Sequence, residues 1–240
     1  ALAAVVDWAN GKTPAIVDPN GMIFVLHEEE EEVRKTPAKQ VPLVIRGNVY
    51  DCVDVIYKNE IPDDERTGWA NKVNLHPHFF QFDTSASDGP TIGFSYDMSL
   101  RAFTMLTDPQ PTKGMPLPGN TVQTADSKAG ALSLTVADAS KFHVNTELGV
   151  GMDDSKYFEV ARIKSINGKT ITFDAPLKYA HKKNDIASVE FIRERWYVDA
   201  DFGTVYWHDH VFGTDTWGHG LFSAFITEPP RSTYHDPVTG

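Results

Sequence analysis

An all-β sandwich carrying an inserted small β module is the fold class the sequence predicts, and three observations predict it. Short alternating or β-branched runs dominate the chain, Gly, Pro, Asn and Asp separate them, and long segments of helical period are hard to find. In chain order the strand candidates are the apolar run Met22–His27, the short Leu43–Ile45, the alternating Cys52–Lys58, and Val73–Phe82. Glu190–Val198, Gly203–His208 and Leu221–Thr227 follow near the end of the chain. The acidic run from Glu28 to Glu32 fits an exposed turn or a short helix.

Between about Thr124 and Ile186 the texture changes. Ala131–Val136, Phe158–Ile166 and Thr170–Phe173 read as small strands, and Asn167-Gly168 has the composition of a type I′ hairpin turn. Just upstream, Asp108-Pro109-Gln110-Pro111 and Gly114-Met115-Pro116-Leu117-Pro118-Gly119 concentrate turn formers, as a connector does. The expected organisation is therefore a discontinuous domain, 1–123 and 187–240, interrupted by a module over 124–186.

Composition narrows the function classes. With 22 Lys+Arg against 33 Asp+Glu the formal charge is −11, which argues against a nucleic-acid binder, because such a protein needs basic surface to displace counterions. Hydrophobic residues at 41% can bury a sizeable core without staples. The single cysteine, Cys52, excludes an intramolecular disulfide framework and any Cys-rich metal site, and its predicted strand has no adjacent His, so it reads as a strand residue. No apolar run approaches the roughly 18 residues needed to span a bilayer. The missing initiator Met and the linker-like ending Tyr234-His235-Asp236-Pro237-Val238-Thr239-Gly240 suggest a processed or partial chain.

The chemistry concentrates in two His-x-His pairs, His76-Pro77-His78 and His208-Asp209-His210, which take up four of the nine histidines. On a strand, side chains two apart share a face, so each pair can aim two imidazoles at one point. Neutral imidazole suits copper, zinc, iron and nickel, and two such pairs brought together offer four nitrogens. Tyr206 and Trp207 alternate with the ligands, so one of them should pack into the sandwich, while Asp209 should face away from the metal side.

The residues around these pairs sharpen the reading. Gly203-Thr204-Val205-Tyr206-Trp207-His208-Asp209-His210, then Gly220-Leu221-Phe222-Ser223-Ala224-Phe225-Ile226-Thr227-Glu228-Pro229, resembles the "GTYWYHSH" and "GLxGxxIVEP" strands of the multicopper oxidases. His76-Pro77-His78-Phe79-Phe80-Gln81, then Thr84 and Asp88-Gly89-Pro90, is similar to that family's "HWHGFFQ…T…ADGP". Pro42-Leu43-Val44-Ile45-Arg46-Gly47-Asn48-Val49-Tyr50-Asp51-Cys52-Val53 resembles its "PLVIRANxGDxVxV". The likeness covers about Leu43 to Asp97 and Phe191 to Pro229. The chain departs from it at Pro77, where Trp is usual, and at Phe79 and Tyr50, where Gly is usual.

That resemblance implies a cupredoxin-like Greek-key β-sandwich. It implies that His76 binds a type 2 copper and that His78, His208 and His210 bind a coupled type 3 pair, in a trinuclear cluster that reduces dioxygen to water. Asp88 falls where the family keeps a carboxylate near the cluster, a proton donor to bound oxygen species, although Asp88-Gly89 is also an Asx-turn signal. The remaining four histidines and the type 1 copper, which needs a Cys between two His, are absent here. They belong to another cupredoxin domain or chain. The reducing substrate stays open among Mn(II), Fe(II), Cu(I) and phenols, and the family implies an extracellular or periplasmic location.

Two other readings compete. One is a non-catalytic cupredoxin-like module that binds copper or keeps only the fold; the other is a zinc or iron hydrolase, which the β-only texture disfavours. His219 reads as a supporting or structural residue, and His27, His143, His181 and His235 have no metal-like spacing.

Overall fold

The computed structural model describes residues 4–6, 16–61, 72–84, 88, 100, 119–154, 156–236 and 238–240. The turn-rich connector from Asp108 to Pro118 and the Gly89-Pro90 step lie outside them. Among the described residues fourteen strands follow one another: β1 Ala4–Val6, β2 Ile16–Asp18, β3 Val44–Asn48, β4 Cys52–Tyr57, β5 His76–Pro77, β6 Asn120–Val122, β7 Ser133–Thr135, β8 Glu147–Val150, β9 Glu159–Asn167, β10 Thr170–Phe173, β11 Ile186–Ser188, β12 Ile192–Tyr197, β13 Thr204–His208 and β14 Phe222–Glu228. Among the described residues the α-helices are two six-residue pieces, α1 Glu30–Lys35 and α2 Gly213–Gly218, so the class is all-β.

The chain forms two compact units, one of Ala1–Leu26, Glu32–Ala102 and Ile192–Gly240, the other of His27–Glu31 and Phe103–Phe191. In the first, a four-stranded sheet ordered β3-β14-β13-β5 and a two-stranded sheet β12-β4 enclose one core. Val205, Trp207 and Phe225 enter that core from one sheet, and Trp196, with the partly buried Val53 and Val55, from the other. Period-2 alternation drives this: along β14 Ser223, Phe225 and Thr227 are buried while the residues between them are not. Phe80 fills the centre, stacked on Trp196 (centroids 5.9 Å apart, rings 8° from parallel) and edge-on to Phe225.

The second unit is a six-stranded sheet ordered β6-β11-β8-β9-β10-β7, curled so that a bridge between Gln123 and Val136 links its two outermost strands. Leu148, Val150, Ile163, Ile171 and Phe173 fill its interior. Its strand β6 begins upstream of Thr124, so the sheet extends beyond the stretch of altered texture. The β9–β10 hairpin differs by one residue from the expected turn. Asn167 still pairs with Thr170, the two-residue loop is Gly168-Lys169, and Gly168 at its first position has φ of 59°, as a type II′ turn requires.

Two further expectations change, while the acidic run takes the short-helix form expected of it. Met22–His27 forms no ladder among the described residues. Met22 and Phe24 are buried in the core with the alternation of a strand, but His27–Glu29 closes the segment as a 3-10 turn. The acidic run that follows enters α1, whose single buried residue is Val33. Val73–Phe82 keeps only His76–Pro77 as a strand, flanked by bridges at Val73 and Gln81, because Phe79 turns into the left-handed region with φ of 70°. Tyr50 does the same in the β3–β4 turn, with φ of 78°. Both are places where the resembled pattern has glycine, and at both the backbone has the conformation that glycine supplies without strain.

A side chain in that region costs about 1–2 kcal/mol, partly offset by the entropy that glycine loses on folding. Tyr50→Gly is therefore expected to be more stable than Tyr50→Ala by about 1 kcal/mol in denaturant unfolding; equal midpoints would show that the turn is unstrained.

Candidate metal centre

Strand register builds the site. His208 on β13 lies directly opposite His76 on β5, and Trp207 lies opposite Pro77. Opposed residues project from the same side of a sheet, so the two imidazoles share the outer face while Trp207 and Pro77 turn inward and are buried. The His78 amide donates to the Tyr206 carbonyl at 2.9 Å, which makes 78/206 a hydrogen-bonded pair and 77/207 the pair between. The Pro77 nitrogen thus points away from β13 at the sheet edge, and the missing N–H breaks no ladder bond. Proline is tolerated here for that reason.

The four rings converge. His76 lies 4.2 Å from His210, 5.1 Å from His78 and 5.2 Å from His208, centroid to centroid. His78 and His208 are 4.9 Å apart, and their Nε2 atoms approach to 2.8 Å. Asp88 joins them, with Oδ1 3.1 Å from His76 Nδ1 and Oδ2 3.5 Å from His210 Nδ1. Two groups have ligand atoms close enough to hold an ion: His76, His78 and His208, and His76, Asp88 and His210.

Hydrogen bonds set which nitrogens face the centre. His208 Nδ1–H donates to the Asp209 carbonyl at 2.8 Å, and His210 Nδ1–H donates to the Asp88 carbonyl at 2.7 Å. Each bond fixes the tautomer and leaves the Nε2 lone pair free, the usual way a ligating histidine is oriented. With His208 Nε2 an acceptor, the 2.8 Å contact in the metal-free chain is closed by His78 Nε2–H. Two nitrogens that close are within the bite of one ion with bonds of about 2.0 Å. His76 Nδ1 is buried with no hydrogen-bond partner. Burial, then His210, lowers the His76 pKa to about 4 against the pull of Asp88, and burial lowers that of His208. Both rings are neutral near pH 7, the form that binds metal. The donor set fits an imidazole-rich transition-metal site of the copper or zinc kind.

Beneath the rings lies a residue whose part in the site the sequence did not show. Asp209, 0% exposed, accepts the amides of Asn74, Val211 and Phe212 and the Thr216 hydroxyl. Its own carbonyl takes the Trp217 indole N–H as well as His208. The side chain does turn from the histidines, as alternation suggests, but it is buried and ties β13, α2 and the chain before β5 into one piece. Neither neighbours nor spacing along the sequence mark those donors. Trp207 is the core member of its pair, and Tyr206 is 61% exposed. His219 is bound to Asp18, with Nδ1 2.8 Å from Oδ2, and Cys52 is exposed on β4 opposite Tyr197, so neither belongs to the cluster.

No protein-family model matches the sequence, and no curated protein matches it significantly.

Two outcomes follow for the metal-free chain. Asp209→Ala strands the four donors, and the expected loss is about 2–5 kcal/mol in urea unfolding; a loss under 1 kcal/mol would mean that the loop stands without it. A histidine with a lowered folded pKa binds fewer protons than its unfolded counterpart, so stability falls as pH drops from about 6.5 towards His76's folded value of about 4. His76→Gln should flatten the pH dependence of the melting temperature across that window.

Proposed function

We propose that this chain is the oxygen-reducing half of a multicopper oxidase, contributing His76, His78, His208 and His210 to a trinuclear copper cluster completed by another cupredoxin domain or chain. The observation that carries the reading is the convergence of two His-x-His pairs on one sheet face, with Nδ1 of His208 and His210 each tied to a backbone carbonyl. These histidines would hold copper, which would supply electrons for the reduction of dioxygen to water. The residues of this chain do the rest. The carbonyl-bound histidines present their Nε2 atoms in fixed directions, Asp209 holds the loop that carries His210, and Trp207 and Pro77 keep water from beneath the ligands. Asp88, partly buried and 3.1 Å from His76, is placed to take up a proton and pass it on at the edge of the cluster.

A partner has a surface to meet. Register puts Phe222 beside His208, and Val44, Ala224, Tyr206 and His78 in one row on the same outer face. Val44 (51%), Tyr206 and Phe222 (42%) are exposed there, so the imidazoles lie in an apolar surround that a second domain would cover. In this reading the substrate, Mn(II), Fe(II), Cu(I) or a phenol, is oxidised at a type 1 copper on that partner, in an extracellular or periplasmic setting.

The intact assembly should contain three coppers per cluster plus one with type 1 absorbance, and His208→Ala should lower cluster copper and oxygen uptake together, by tenfold or more, while the type 1 band stays. Fewer than three coppers and no type 1 band would end the oxidase reading. Full copper loading without oxygen uptake would leave a copper-holding module instead.

A further inference from the structure

Glu194 points from β12 into the apolar interior of the first unit and is 3% exposed. Its Oε2 accepts the Trp196 indole N–H at 2.8 Å, and Oε1 is buried with no hydrogen-bond partner. The contrast with Asp209 is direct: that buried carboxylate collects four donors, whereas Glu194 has one neutral donor, the Trp196 indole N–H. A lone carboxylate in such surroundings is costly, and the carboxyl keeps its proton instead. Burial pushes its pKa up to about 8 against the pull of the Trp196 N–H, and negative Asp88 adds to the rise. Val55, opposite on β4, and Trp196, on its own strand, bring no charge. Among the described residues, Asp88 is the charged group acting on Glu194, and Asp88 is also the residue against His76 and His210. Trp196 packs on Trp207, 5.7 Å between centroids, immediately before His208 in the chain. No packing or pairing need explains an acid at this position.

We propose that Glu194 is a proton store for the histidine cluster, holding one proton on its carboxyl in the sandwich interior and releasing it when a cation arrives at the histidines. The carboxyl O–H breaks, the proton passes to solvent, and the carboxylate left behind offsets part of the incoming positive charge. No electron moves. This rests on the metal-binding reading above, and it adds a residue on which neither His-x-His pair depends for its geometry.

The probe is Zn(II), added to the metal-free chain at pH 7 and followed by calorimetry in buffers of different ionisation enthalpy. Wild type should release more protons than Glu194→Gln, by up to about one per ion bound. Glutamine can still accept the Trp196 N–H, so the fold is preserved. Infrared spectra of the metal-free chain supply a second arm that does not need the variant to bind metal. A protonated-carboxyl band should titrate away as pH rises through about 8, vanish in Glu194→Gln, and titrate at lower pH in Asp88→Asn, where the repelling charge is gone. Equal proton release by wild type and Glu194→Gln, or a band indifferent to Asp88→Asn, overturns the store while leaving the metal site standing. Absence of Zn(II) binding by wild type overturns the metal site, and the store with it.

Discussion

One strand pairing carries the site. His208 faces His76 across the β13–β5 ladder, and because the side-chain period of a strand is two, that register decides everything about the neighbouring positions. Trp207 and Pro77 enter the core, His78 returns to the outer face, and the imidazoles meet outside a wall of buried aromatics. A slip of one residue would send His208 inward and put Trp207 in the solvent. The core guards against that slip, because Trp207 packs on both Trp196 and Phe24 and has no comparable place elsewhere. The register is thus held by apolar packing, and the metal-binding geometry follows from it.

The end of β13 needs a different device, since His210 lies past the last strand residue. Asp209 supplies it by gathering the orphan amides where the chain turns from strand into α2, together with the Thr216 hydroxyl in that helix. A buried carboxylate is normally a liability, but four donors satisfy it, and the amide of Asn74 ties it to the segment leading into β5. The two halves of the histidine set are therefore joined twice, once by the ladder and once through this carboxylate. Its carbonyl adds a third task by fixing the tautomer of His208. A small polar residue between two histidines organises the loop without touching the site's open side.

Local rules fail in this unit at a few places. Tyr50 and Phe79 adopt backbone angles that glycine would take freely, and Phe79 is exposed and lies tilted against Phe202 rather than buried. Glu194 leaves a buried oxygen unsatisfied. Phe79 follows His78 directly in the chain, and Glu194 feels the charge of Asp88, which lies 3.1 Å from His76.

How much of this was legible in the sequence depends on the range of the interactions involved. Strands β4, β10, β12, β13 and β14 follow from alternation and turn residues, which are local signals, and so does the reading of each His-x-His pair as candidate ligands. Met22–His27 misleads because a buried extended segment and a paired strand bury the same alternate side chains, and only hydrogen bonding separates them. Val73–Phe82 misleads because a single left-handed residue, Phe79, interrupts it. Sequence by itself determined the all-β class and the identity of the four clustered histidines, since residue type and spacing of two are properties of the chain; Asp88 entered only through the resemblance to the multicopper oxidases. Tertiary structure alone decided that His76 meets His208, that buried Asp209 finds four donors and buried Glu194 one, and which nitrogens face the centre. Those depend on long-range pairing and on the donors each carboxyl finds, and neither is written in neighbouring residues.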